Sequence, residues 1–187
     1  MKIKKTKIEG LLIIEPQVFG DERGFFVETY NKRRYQEHGI EPEFVQDNLT
    51  KSAKGVLRGL HFQKEPYAQG KLVQVIKGSV LDVAVDIRYN SPTYGQWVSV
   101  KLTEKNKKQF WLPVGFAHGF VALEDETIFS YKCTNLYSPE SEGTIIWNDP
   151  DLNIDWQLEK YGITKPIISE RDQKNKPFRS IGKLFKV

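Results

Sequence analysis

Apolar and polar residues alternate along several short segments of the chain, and Gly, Pro and Asn separate these segments. Residues 82–87 read Asp-Val-Ala-Val-Asp-Ile and residues 97–102 read Trp-Val-Ser-Val-Lys-Leu. Side chains two apart on a strand point to the same side, so each segment predicts a β-strand. β-branched and aromatic residues predict further strands at Lys71–Ile76, Gln109–Leu112, Gly119–Leu123 and Thr127–Thr134. Long helical patterns are scarce, so the pattern predicts an all-β antiparallel sandwich or barrel.

A few local signals fall outside this strand pattern. One short helix is predicted from Asn31 to His38, with Asn31 as its N-cap and Gly39 in the left-handed conformation after the last turn. A second helical stretch is predicted after Asp151. The tail from Ser169 to Val187 is polar with little periodicity, which predicts a surface position.

Length and charge exclude several classes of protein. A chain of 187 residues without repeats or a linker predicts one domain, residues 1–187. Lysines and arginines number 28 against 24 acids, but they are dispersed and form no basic groove, so neither RNA nor DNA is an expected partner. No apolar run approaches the ~20 residues that span a bilayer. Met1 to Gly10 lacks a signal-peptide pattern, and Cys133 has no second cysteine to pair with, so we expect a cytoplasmic protein without membrane attachment.

Two of the three histidines lie beside predicted strands, among glycines and aromatic residues. His118 ends the pattern Pro-x-Gly-x-x-His, which resembles the second motif of the cupin superfamily, where a turn delivers a histidine to the mouth of a small barrel. A metal-binding cupin carries His-x-His in its first motif, but Gln63 stands two residues after His61. Glu65 precedes Pro66 in a predicted loop and substitutes poorly for an acidic ligand. This ligand set indicates no metal site, and a buried core histidine is the simple alternative for each.

Six collinear motifs extend the resemblance over the chain from about Ile8 to Asp172. They are Asp-Glu-Arg-Gly-Phe-Phe (21–26), Gln-Asp-Asn (46–48), Leu-Arg-Gly-Leu-His-Phe-Gln (57–63), Gln-Gly-Lys-Leu (69–72), Gly-Phe-Ala-His-Gly-Phe (115–120) and Tyr-Lys-Cys-Thr-Asn (131–135). In order and spacing they resemble the dTDP-4-dehydrorhamnose 3,5-epimerase family. The resemblance implies a metal-free, cofactor-free cupin jelly-roll β-barrel with a few short peripheral helices. It also implies a homodimer in which N-terminal strands of one subunit join the sheet of the other.

The activity implied by this resemblance is an isomerase reaction on a dTDP-sugar. The enzyme would invert C3 and C5 of dTDP-4-dehydro-6-deoxy-D-glucose, giving dTDP-4-dehydro-L-rhamnose for dTDP-L-rhamnose and surface polysaccharide synthesis. His61 matches the family's base, and Asp172 matches the carboxylate that orients it, which would bring the start of the tail back to the site. Tyr131 matches the acid on the opposite face, and Lys71 matches the cation that faces the ketone oxygen.

Further positions match the family's substrate contacts. The nucleotide-binding set would comprise Arg23, Phe26, Glu28, Gln46, Asp47 and Asn48, and the other contacts would be Arg58 and Arg171 on the diphosphate, with His118 and Glu142. Strict alternation puts Arg58 and His61 on opposite faces, so both can serve one site only if the strand bulges near Gly59. Cys133 shares a face with Tyr131 and is interpreted as packing. Asp82 is a candidate to orient His118.

Three alternatives stay open from the residues. A single-site epimerase of another dTDP-deoxysugar pathway would share His61 and Asp172 with the double epimerase. A non-catalytic sugar-nucleotide-binding cupin would need the aromatic and basic residues, but it would need no base, orienting carboxylate and opposed acid together. A metal-dependent isomerase or dioxygenase would lose activity on chelation.

Overall fold

The chain is built mainly of short antiparallel strands. A computed structural model describes residues 1–186. The strands are β1 (Lys2–Lys5), β2 (Leu12–Glu15), β3 (Val18–Asp21), β4 (Gly24–Val27), β5 (Gln46–Ser52), β6 (Leu57–Gln63), β7 (Lys71–Lys77), β8 (Ser79–Asp86), β9 (Trp97–Thr103), β10 (Gln109–Leu112), β11 (Phe116–Ala122), β12 (Thr127–Cys133) and β13 (Glu142–Thr144). The strands predicted from alternation and composition are confirmed, with ends that differ by a few residues.

Two sheets form the body of the molecule. One has six strands in the order β1-β2-β10-β7-β12-β5, and the other has five in the order β13-β6-β11-β8-β9. Their inner faces enclose an apolar core to which both sheets contribute, including Val73, Phe110 and Phe129 from the first and Ala84 and Phe120 from the second. This arrangement confirms the predicted all-β jelly-roll barrel. The hairpin of β3 and β4 stands apart as a two-stranded sheet.

The outer face of each sheet is covered by the segments that the strand pattern does not explain. Tyr35 and Ile40, at the short helix α1 (Lys32–Gln36), pack on Leu72 and Trp111 of the six-stranded sheet. Asn31 caps this helix as predicted, since its side chain accepts from the Arg34 amide. Gly39 has a φ of 81°, which is the left-handed conformation predicted for it.

The chain beyond β13 covers the five-stranded sheet, so two sequence predictions are wrong here. After Asp151 the described part of the chain forms no α-helix but three 3-10 turns, Glu159–Tyr161, Asp172–Lys174 and Phe178–Ser180. Asn153 and Gln157 adopt positive φ values of 43° and 53°, which an α-helix cannot contain. The tail is not a surface segment throughout. Phe178 and Phe185 are 8% and 6% exposed and belong to the core, while Val187 lies outside the described residues.

Candidate active site

A cavity opens between the two sheets, with walls from both. Its two adjoining lobes have volumes of about 290 and 320 Å³ and share five lining residues, His61, Lys71, Tyr131, Tyr137 and Glu142. His61 comes from the five-stranded sheet, whereas Lys71 and Tyr131 come from the six-stranded sheet. A ligand between the sheets would therefore meet the histidine on one side and the lysine and tyrosine on the other.

A bulge in β6 brings Arg58 and His61 to the same cavity. His118 pairs with His61, and Phe120 pairs with Arg58. The paired positions are thus three residues apart on β6 but only two residues apart on β11, so β6 contains one extra residue. The extra residue falls at Gly59, whose φ of 130° suits glycine. A Cβ at this position would lie 2.6 Å from the Gly119 Cα. The sequence prediction of a bulge near Gly59 is confirmed, and Arg58 and His61 both line the second lobe.

His61 and Asp172 form a hydrogen-bonded pair at the cavity wall. The distance from His61 Nε2 to Asp172 Oδ1 is 2.7 Å, and the Asp172 side chain is only 6% exposed. Burial disfavours the Asp172 carboxylate, but the hydrogen bonds from His61, the Gly59 amide and Asn175 outweigh it and hold the pKa of Asp172 below its usual range. An ionised carboxylate only accepts, so Nε2 donates to it and Nδ1 is the free basic nitrogen.

A second histidine–carboxylate pair lies next to the first. His118 is the register partner of His61 on β11, and its Nε2 lies 2.9 Å from Asp82 Oδ2. Asp82 is fully buried, and its other oxygen, Oδ1, has no hydrogen-bond partner among the described residues. The expectation that Asp82 orients His118 agrees with this contact.

The opposite wall carries Lys71, Tyr131 and Cys133. Burial lowers the pKa of Lys71, while attraction to Cys133 and Asp82 opposes that effect. Burial raises the pKa of Tyr131, so its hydroxyl keeps its proton through neutral pH. Cys133 faces the same side as Phe129 and Tyr131, as alternation predicted, and burial raises the pKa of its thiol. A protonated, 1% exposed thiol fits the packing interpretation.

Charged and aromatic side chains meet at the entrance of the cavity. Arg171 forms an ion pair with Glu142, and the Tyr137 hydroxyl donates to the same carboxylate at 3.1 Å. Gln63 holds this region in place, because its side-chain amide donates to the Leu136 carbonyl and accepts from the Ser138 amide. The residue that stands where a metal-binding cupin would carry a second histidine therefore fixes the loop that carries Tyr137.

The structure gathers most of the predicted site residues. The cavity is lined by Gln46, Asn48, Arg58, His61, Lys71, His118, Tyr131, Glu142, Arg171 and Asp172. Asp47 is on the other face of β5, where it pairs with Lys132, because alternation turns it away from Gln46 and Asn48.

The other three predicted residues lie away from this cavity, on or beside the projecting hairpin. Arg23 and Phe26 belong to the loop and strand of the β3–β4 hairpin, with exposures of 85% for the Arg23 side chain and 68% for Phe26. Glu28 follows β4 and pairs with Arg34. These three residues do not line the cavity of their own chain.

Sequence reasoning missed several lining residues. Tyr137 follows β12 in a loop without periodicity, so no pattern pointed to it. Thr50 lies on the inner face of β5 with Asn48, and alternation from Asn48 would have indicated it. Within residues 1–186, no group of three or more His, Cys, Asp or Glu side chains is placed to hold a metal ion. None of the helices in this part of the chain is long and apolar enough to cross a membrane.

Comparison with known proteins identifies close relatives over nearly the whole chain. Residues 5–180 match the family model of dTDP-4-dehydrorhamnose 3,5-epimerase. The enzyme of that name from Methanothermobacter thermautotrophicus is 56% identical over 175 residues, which cover 94% of this chain and 93% of the relative.

Solved structures agree with this match. A dTDP-6-deoxy-D-glucose-3,5-epimerase from Legionella pneumophila, in complex with dTDP-4-keto-L-rhamnose, is 51% identical with a TM-score of 0.94, covering 100% of this chain and 98% of that one. A 3'-monoepimerase from Streptomyces bikiniensis, in complex with dTDP-quinovose, is 30% identical with a TM-score of 0.88, covering 97% of this chain and 91% of that one.

Proposed function

The chain belongs to the dTDP-4-dehydrorhamnose 3,5-epimerase family, and from that premise we propose how its cavity performs the reaction. The reaction is inversion of C3 and C5 of dTDP-4-dehydro-6-deoxy-D-glucose, an isomerisation in dTDP-L-rhamnose biosynthesis. The observation that carries the proposed mechanism is the placement of His61, with Asp172 behind it, on the wall opposite Lys71 and Tyr131.

The first step is removal of a proton next to the ketone. His61 Nδ1 takes a proton from C5 or C3, and the C–H electrons move to form an enolate whose negative charge rests on the C4 oxygen. Asp172 stabilises the imidazolium that results, because its carboxylate already accepts from Nε2 at 2.7 Å. Lys71 on the other wall stabilises the enolate oxygen, and that interaction is stronger in the transition state than with the neutral ketone.

The second step returns a proton from the other face. Tyr131 donates its hydroxyl proton to the carbon on the side away from His61, which inverts the centre. The raised pKa of Tyr131 keeps the proton available, and an enolate is basic enough to take it. The tyrosinate regains a proton from solvent, and His61 releases the one it took, so the site returns to its starting state without a cofactor.

The diphosphate of the substrate is assigned to the cavity entrance. Arg58 and Arg171 line the second lobe, and guanidinium groups suit phosphate oxygens. Gln46 and Asn48 line the first lobe, with amide groups for the nucleotide. His118 and Glu142 contact the sugar in this arrangement.

A homodimer accounts for the residues that the cavity of one chain leaves out. The β3–β4 hairpin exposes Phe19, Phe25 and Phe26 at 59%, 60% and 68%, a large apolar surface for a free hairpin. We assign this hairpin, with Arg23 and nearby Glu28, to the nucleotide end of the partner's cavity.

We also propose that residues 1–187 act as one domain and that the enzyme works in the cytoplasm.

The single-site alternative has one observation in its favour, the similarity to a 3'-monoepimerase at 30% identity. The two 3,5-epimerases named above, from Methanothermobacter thermautotrophicus and Legionella pneumophila, are more similar, at 56% and 51% identity. The two reactions differ in the number of carbons that exchange a proton with solvent.

The deciding experiment follows both carbons at once. Metal-stripped protein is incubated with dTDP-4-dehydro-6-deoxyglucose in heavy water, and the C3 and C5 protons are followed by NMR. We expect both signals to disappear with wild-type protein and to persist with His61→Asn, which keeps a polar planar group but removes the basic imidazole. Loss of one signal would establish a single-site epimerase. Loss of neither would leave a ligand-binding cupin, and dependence on added metal would overturn the metal-free mechanism.

A further inference from the structure

Asp82, a carboxyl group inside the barrel, has no role in the proposed reaction steps. Asp82 lies on β8 with no exposed surface, and its neighbours two positions away, Val80 and Ala84, belong to the core between the two sheets. Asp82 Oδ2 accepts from His118, while Oδ1 has no hydrogen-bond partner in the described chain. A buried oxygen without a partner costs stability, so its position needs an explanation.

Lys71 projects into the same interior from the facing sheet. It shares its face of β7 with Val73 and Val75 of that core, and it lines both lobes of the cavity. No ion pair joins its ammonium to an acid within residues 1–186. Asp82 is fully buried and Lys71 is partly buried, and the two nevertheless attract each other across the interior.

We propose that Asp82 is a positioning residue that keeps Lys71 in its ammonium form during turnover, through the carboxylate oxygen that His118 leaves free. The inference rests on the proposed role of Lys71 at the enolate oxygen. Without a nearby anion, a lysine in this interior would release its proton and could no longer stabilise the enolate. The Asp82 carboxylate supplies that anion from a position where it does not touch the substrate.

The electrostatic environment supports a mutual dependence. Burial lowers the pKa of Lys71, and attraction to Cys133 and then to Asp82 opposes that effect. Burial raises the pKa of Asp82, and attraction and hydrogen bonding to His118, followed by attraction to Lys71, oppose that effect. The other titratable groups that line the cavity come from both sheets and from the segments beside them. They are Arg58, His61, His118, Tyr131, Cys133, Tyr137, Glu142, Arg171 and Asp172. Burial raises the pKa of Tyr131, whereas it lowers the pKa of Lys71.

The test is the alkaline limb of the pH profile of kcat, measured with Asp82→Asn. This variant keeps the shape of the side chain and the contact with His118 but removes the charge. We expect the limb to move to lower pH and kcat at pH 8 to fall about tenfold, with a smaller change in KM. The loss is less than the ~10²–10³ for removing an oxyanion donor, because Lys71 itself remains. An unmoved limb would overturn the proposal.

Repeating the measurement in a Lys71→Arg variant shows whether Asp82 changes the pH profile through Lys71 or through His118. In Lys71→Arg the guanidinium stays charged at every accessible pH, so the limb that belongs to Lys71 should vanish. Adding Asp82→Asn should then shift nothing further. An equal shift in both backgrounds would mean that Asp82 acts through His118 alone and would overturn the proposal.

A matched control and a direct measurement complete the design. Asp86→Asn removes another fully buried carboxylate of the same strand, one that pairs with Arg88. It should lower Tm and leave the pH limb in place. NMR titration of the Lys71 side-chain nitrogen, in wild type and Asp82→Asn, measures the protonation of Lys71 directly and requires no substrate turnover. A lower titration midpoint in Asp82→Asn would support the proposal even if the wild-type enzyme failed to epimerise, and an unchanged midpoint would overturn it.

Discussion

In the proposed mechanism, proton removal and proton return are assigned to single residues on two facing sheets. His61 lies on the five-stranded sheet and is hydrogen-bonded to Asp172. Tyr131 faces His61 from the six-stranded sheet. A base and an acid on opposite walls suit inversion better than exchange, because a proton that leaves on one side is replaced from the other. The two functions should therefore separate when one of the residues is removed.

Tyr131→Phe should abolish inversion while leaving deuterium exchange. Without the hydroxyl, His61 can still remove a proton and return a deuteron to the same face. We expect the rate of inversion to fall by ~10²-fold or more, the usual contribution of a positioned acid, while NMR in heavy water still records exchange at C5. Tyr94→Phe, which removes a hydroxyl near Phe178, is the control. Exchange that disappears together with inversion would contradict the division of roles.

The sequence identified these residues to different degrees. Alternation alone placed Tyr131 and Cys133 on one face, since the spacing of two is a local property of a strand. Asp172 is 111 residues from His61, and only the family resemblance joined them, because no local pattern encodes a contact over that separation. Tyr137 was missed since it lies in a loop, where side-chain direction follows from the fold and not from periodicity.

Among the elements, β6 has the largest effect on the site. Regular alternation would turn Arg58 away from the cavity that His61 lines. The bulge at Gly59 adds one residue to the strand, so Arg58 and His61 both line the cavity. The two residues are thus brought together by one backbone irregularity, and it depends on a glycine that packs directly against Gly119.

Gly59→Ala should destabilise the protein and weaken binding of the diphosphate. The added Cβ would meet backbone atoms of His118 and Gly119 at 2.9 and 2.6 Å, so we expect a loss of ~3 kcal/mol or more, with strain and overpacking combined. Gly24→Ala is a matched control, because its φ of 135° is similar and nothing lies within 4 Å. Its cost should be about 1–2 kcal/mol. Thermal denaturation compares the two, and equal losses would show that packing against Gly119 is unimportant.

The prediction of strands was confirmed where apolar and polar side chains alternate along the chain. The prediction of a helical stretch after Asp151 was wrong, because the structure there depends on longer contacts. There the Asp149 carboxylate accepts from the amides of Asp151 and Leu152, and Trp97 donates to the Leu152 carbonyl. These bonds hold an irregular segment against the sheet, and no spacing rule anticipates them.

At the scale of the whole molecule, the site extends beyond one chain in our proposal. In the proposed homodimer, the cavity of one subunit would provide His61, and the β3–β4 hairpin of the other would provide Arg23 and Phe26. Such an arrangement makes each active site dependent on both chains, which is testable by mixing two defective proteins.

Mixed dimers of two variants should recover activity. One variant carries His61→Asn, and the other carries Arg23→Ala with Phe26→Ala. A mixed dimer contains one site with an intact cavity and an intact hairpin, so equal mixing after unfolding and refolding should restore about a quarter of wild-type turnover. If the hairpin serves the cavity of its own chain, every site keeps one defect and mixing restores nothing. Light scattering of the wild type should give twice the 21.7 kDa chain mass.

The ion pair between Arg171 and Glu142 has a consequence for the thermodynamics of binding. Arg171 is already paired with Glu142, which also accepts from the Tyr137 hydroxyl, before a ligand arrives. A diphosphate that takes Arg171 replaces one partner with another, so little further rotamer entropy is lost in ordering a long side chain. The release of Glu142 at the same moment frees a carboxylate to accept from a sugar hydroxyl. Binding at the entrance is therefore an exchange of partners between groups that are already ordered.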